Sequence, residues 1–97
     1  MIEQSGDSLR VTVPMLIANA RALLEAGRGY LQAGPQSGEW VFDLSAVDEA
    51  DSSALTVVFA WLRSARERGA VMRIAHPPTS LTSLAELYGV SDFLPLA

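Results

Sequence analysis

Trp40-Val41-Phe42-Asp43-Leu44 is the stretch on which the fold turns. A compact apolar run of this kind suits a central strand buried on both faces of a sheet. The chain after it alternates. Ser45 to Asp51 is a polar, acidic connection, and a helix is expected from Ser52 to Arg68, with Gly69 placed to cap its C-terminus. Val71-Met72-Arg73-Ile74-Ala75 reads as the next strand, and His76-Pro77-Pro78 breaks the chain. Thr79 or Ser80 caps a last helix over Leu81 to Tyr88, which stops at Gly89. Val90 to Ala97 is a tail whose Phe93, Leu94 and Leu96 are free to pack back.

The same alternation holds upstream. Gly34-Pro35-Gln36-Ser37-Gly38 is a loop by its turn residues. Before it, Ala20, Leu23, Leu24 and Gly27 mark one face of a helix from Asn19 to Leu31, with Asn19 as its N-cap. Leu9 to Val13 alternates apolar and polar residues, the period-two sign of a strand. Pro14 ends that strand, and Met15-Leu16-Ile17 fits a short second one. Strands alternating with helices imply a single α/β domain over residues 1–97, with a central mixed sheet of about four strands flanked by helices.

Composition removes several function classes. With 97 residues and 49% hydrophobic content the chain supports one core. Net charge is −4, and all seven basic residues are arginines, so nucleic acid is a poor electrostatic match. There is no cysteine and one histidine, His76, which leaves no thiolate chemistry and no transition-metal set. Asp43, Asp48, Glu49 and Asp51 follow no known ligand-loop spacing, so no metal or other cofactor is expected. Ser52 and Ser53 have only His76 as a conceivable base, and no glycine-rich phosphate loop is present. Catalysis is not expected. Glu3 and Asp7 stand where a signal peptide would be basic, and the longest apolar stretch, Ala54 to Leu62, is less than half a membrane span. The expected location is the cytoplasm, with membrane contact only through a partner.

The helix from Ser52 is the most informative element. Leu55, Val58, Phe59 and Leu62 share a face wide enough to cover the sheet. Val57 and Trp61 lie on another side, beside Ser53, Ala60 and Ser64. An apolar patch there would be a contact surface, so Ser52, Ser53, Thr56, Val57 and Trp61 are the candidate partner-binding residues. The alternative packs Trp61 under the first helix or the tail. Asp51 or Ser52 sits at the helix N-terminus, where a side-chain oxygen satisfies a free N–H. A serine hydroxyl exposed there is also a candidate phosphate acceptor.

Val41-Phe42-Asp43-Leu44-Ser45, the segment Val47 to Leu55 and the strand Gly69 to Ile74 together resemble the STAS family of regulatory domains. Pro14 to Ala33 is similar to that family's first helix and its entry. Ala54 stands where the family's loop usually has glycine. Ser83 to Val90 and Phe93-Leu94-Pro95 resemble the MlaB-type branch, a subunit of phospholipid-handling ABC transporters. That resemblance implies a non-catalytic accessory subunit that binds the transporter's cytoplasmic ATPase and supports its assembly and activity. Ser52 also matches the residue phosphorylated in anti-sigma-factor antagonists, which leaves a phosphorylation-controlled switch as the second implied function. A small-ligand or nucleotide-binding STAS module is a third.

Overall fold

Gly6 makes the N-terminal hairpin possible. In the computed structural model, which describes residues 1–34 and 38–97, β1 (Ile2–Ser5) pairs antiparallel with β2 (Ser8–Val11), and Ser5 stands opposite Ser8. Gly6 takes φ +62° at the first of two loop residues, a conformation that glycine adopts without strain. β1 was not expected, because only Ile2 in it carries an apolar side chain. The strand expected over Leu9 to Val13 is shorter at its C-terminal end. The second strand expected at Met15 to Ile17 does not form. Met15 makes one parallel bridge to Ala50, and Ile17 already begins α1 (Ile17–Ala33).

Four strands form one mixed sheet in the order β1-β2-β3-β4, where β3 is Glu39–Asp43 and β4 is Val71–Ala75. β2, β3 and β4 are parallel. Leu9, Phe42 and Ile74 stand side by side across them and are fully buried. The neighbouring positions point the other way. Arg10, Val71 and Arg73 are exposed, and Val41 and Asp43 are only half-buried. The central strand is therefore buried on one face, not two. Its aromatic residues gave the apolar weight, while alternation along the strand put Val41 and Asp43 on the open side.

The two long helices lie against the closed face, and the short C-terminal helix packs on the second of them. α1 begins two residues earlier than Asn19, and Asn19 does not cap it. Its side-chain amide instead donates to the Pro14 carbonyl at 2.7 Å. α2 (Ser52–Glu67) has Asp51 as its N-cap, and Gly69 follows its end at φ +70°. α3 (Thr79–Leu87) starts directly after Pro78, with neither Thr79 nor Ser80 as cap, and Gly89 at φ +70° ends it. A short 3₁₀ turn (Ser91–Phe93) follows. The tail then returns to the edge of β4, where Ile74 donates to Pro95 and Ala97 donates to Ile74. The loop expected from Gly34 to Gly38 falls outside the described residues for Pro35, Gln36 and Ser37.

Trp61 is the centre of the core. It is fully buried, and its indole stacks on Phe42 with ring centroids 4.3 Å apart and planes 13° from parallel. The indole N–H donates to the carbonyls of Leu23 and Leu24 in α1, at 3.2 Å each. Such partners offset the cost of burying an indole N–H. Gly27 gives the space: a Cβ on it would overlap the indole ring. Trp61 is thus the contact between the sheet and both long helices. The exposed patch expected at Val57 and Trp61 is not there, since Val57 is also buried. α2 is turned so that Ala54, Val58, Trp61 and Ala65, one helical face, meet the interior. Phe59 and Leu62, expected beneath the sheet, are only half-buried.

Candidate functional site

The polar loop before α2 folds onto the start of α1. Met15 donates its backbone N–H to Glu49 at 2.9 Å, and Asp51 donates back to the Met15 carbonyl at 3.1 Å. These two bonds fix the side chain of Asp51 between two helix N-termini. One oxygen accepts from the backbone N–H of Ile17, the first residue of α1, at 2.9 Å. The other accepts from the backbone N–H of Ser53 at 2.9 Å and from the Ser53 hydroxyl. Free N–H groups carry partial positive charge, and a carboxylate satisfies it. The Ser53 hydroxyl and then the Ile17 N–H hold the Asp51 carboxyl below its usual range.

Asp51 therefore places α1 and α2 side by side at one end of the domain. Ser52 is exposed at that end and Ser53 is half-buried by its bond to Asp51. Thr56 is exposed one turn further on, and Phe59 follows on the same side. Ile17 reaches the same place from α1 with 74% of its surface exposed, and Tyr88 from the end of α3 with 57%. Together with Leu55 and Val90 these residues line a shallow groove of about 550 Å³. Its lining is mainly apolar with hydroxyls at the rim. This matches a protein contact better than a reaction centre.

Of the expected contacts, Ser52, Ser53 and Thr56 come together here. Val57 and Trp61 do not, because they face inward. The sequence reading missed Ile17, Phe59, Tyr88 and Val90. Pattern alone fits Ile17 to a short strand and Phe59 to a core face. Tyr88 carried a usable signal: a large aromatic at the last turn of a helix, directly before a glycine.

The remaining polar cluster lies elsewhere, at the C-terminal ends of β3 and β4. Asp43 accepts the backbone N–H of Ser45 at 3.0 Å and faces His76 Nδ1 at 3.3 Å. The Ser45 bond chiefly lowers the Asp43 pKa, with burial opposing and His76 adding to the lowering. Among the described residues the His76 side chain has no hydrogen-bond partner besides Asp43, and no hydrogen bond joins it to Ser52 or Ser53. No group of three or more His, Asp or Glu side chains gathers among the described residues.

The family model described as Mlab, STAS domain matches residues 1–96. The chain belongs to that family. A relative within it, the intermembrane phospholipid transport system binding protein MlaB of Haemophilus influenzae, is 32% identical over 56 residues. Those residues are 58% of this chain and 51% of the relative, so the match spans about half of that protein's length. Solved STAS structures share the fold. A Thermotoga maritima protein described as an anti-sigma factor antagonist aligns with a TM-score of 0.77 at 18% identity, over 99% of this chain and 83% of its own. A STAS-domain anti-sigma-factor antagonist from Planctomyces limnophilus gives 0.77 at 12% identity, over 99% and 86%. No helix among the described residues is long and apolar enough to cross a membrane.

Proposed function

We propose that this STAS domain is a non-catalytic accessory subunit that binds the cytoplasmic ATPase of a phospholipid-transporting ABC transporter and supports its assembly and activity. The observation that carries this is the groove where Ser52 and Thr56 of α2 meet Ile17 and Tyr88. Ile17 and Tyr88 are solvent-exposed there, although a full core exists without them. The MlaB relative supports the choice of partner. The protein reaches the inner membrane through that partner. The test is a calorimetric titration of the ATPase subunit with wild type and with Thr56→Glu. Wild type should bind, and the variant should bind at least roughly thirtyfold more weakly. Equal binding by both would remove this groove from the interface.

A second function is favoured by one observation, the exposure of Ser52 at the helix start. There the domain would be an anti-sigma-factor antagonist switched by phosphorylation at Ser52, as the solved relatives suggest. A serine kinase that modifies Ser52, and no binding to the transporter ATPase, would support it over the first.

A further inference from the structure

A second groove adjoins the first. The two meet at Phe59 and Val90, which line both. The second runs between the outer side of α2 and the returning tail, and has a volume of about 660 Å³. Leu62 continues its floor, and Phe93 stands on its far wall with 67% of its surface exposed. Its wall on α2 carries Arg63 and Arg66, both exposed. Among the described residues neither guanidinium has a carboxylate within salt-bridge distance. The facing wall supplies one acid, Asp92. So a chain with a net charge of −4 concentrates two arginines on the rim of one apolar groove.

We infer that this second groove holds an acidic, apolar segment of a partner protein, with aliphatic or aromatic side chains against Phe59, Leu62 and Phe93 and carboxylates on Arg63 and Arg66. The inference rests on the proposed docking role of this side of the domain and adds the chemistry of what docks. Arginine pairs with carboxylates through two parallel N–H donors, and at an apolar rim such pairs are less hydrated than in open water. The arginines are one turn apart at most, and both project from α2, so they suit carboxylates spaced along one segment. A phosphate headgroup or a nucleotide would want donors converging from several sides, and here they come from one wall only.

The experiment is a selection from a displayed random-peptide library, run against wild type and against the double variant Arg63→Glu, Arg66→Glu. Wild type should enrich peptides that combine Asp or Glu with Leu, Ile or Phe. The variant should enrich basic apolar peptides instead. A selected peptide should bind wild type at least about tenfold more tightly than the variant, and more weakly as salt rises. No enrichment, enrichment without acidic residues, or identical peptides from both proteins would overturn the inference. So would retention of phosphatidylglycerol vesicles by wild type in place of peptides. The ATPase titration separates the two proposals: a Thr56-dependent complex that tolerates the arginine variant leaves the first intact and sinks the second.

Discussion

The carboxylate of Asp51 accepts the backbone N–H of Ile17 from 34 residues away in sequence, while it also caps its own helix at Ser53. One side chain thus sets where two helices begin, and the first turns of both contribute to the groove proposed for docking. Replacing Asp51 with Ala should lower the urea midpoint and also weaken partner binding, because Ile17 loses its anchor. An unfolding curve and a titration on the same sample check both effects. An unchanged midpoint would mean that the Met15 backbone bonds suffice.

The same carboxylate predicts a direction with pH. Its folded pKa is depressed, so its contribution is fully present above the unfolded pKa and is lost as pH falls through the folded value. Asp43, depressed for a different reason, adds in the same direction. Urea midpoints should therefore fall as pH drops from neutral into the acid carboxylate range. Asp51→Asn should show a shallower fall than wild type.

Gly27→Ala should destabilise the domain by about 1–3 kcal/mol or more, since the added methyl overlaps the Trp61 indole between α1 and α2. Trp61→Ala should cost about 3–5 kcal/mol. Urea unfolding followed by circular dichroism measures both. A near-neutral Gly27→Ala would mean that the helices separate easily.

Phe42 and Phe59 should behave differently. Phe42 is fully buried under the indole, so Phe42→Ala should cost about 3–5 kcal/mol. Phe59 is half-buried and lines both grooves, so Phe59→Ala should cost less stability and more binding. Equal losses of stability would place Phe59 in the core after all.

Ser52→Glu should leave the fold intact while it weakens docking. A negative charge at the first turn of a helix is favoured by the free N–H groups there, although Asp51 beside it offsets part of this. In a desolvated contact the same charge is unfavourable. Stability within about 1 kcal/mol of wild type, together with weaker ATPase binding, is the expected pair of results.

Much of the fold was legible because the strongest signals were local. The strand at Phe42, the strand at Ile74, the cap at Asp51 and the stop at Gly69 all came from patterns within a few residues. The rotation of α2 was not. Apolar residues run nearly all the way round it, from Leu55 through Val57, Val58 and Phe59 to Trp61 and Leu62. Large side chains alone could not choose the inward side. The small residues carried part of the answer: Ala54 and Ala65 fall on the face of Val58 and Trp61, and all four are buried. β1 was missed because its polar side chains face water, and its place depends on Gly6 and on pairing with β2. The groove was half legible. Ser52 and Thr56 followed from the helix start, but Ile17 and Tyr88 arrive from other elements, and no spacing in the sequence brings them there.

Both tryptophans, Trp61 and Trp40, are buried, and neither lines the two grooves proposed for docking. Tryptophan fluorescence, excited to the red of tyrosine absorption, is therefore an indicator of the interior alone. Emission should stay blue-shifted and steady while a tryptophan-free ligand fills either groove, and move to the red only when α1 lifts from α2. Light from the indoles and heat from a titration would then give separate accounts of one sample, one of folding and one of contact.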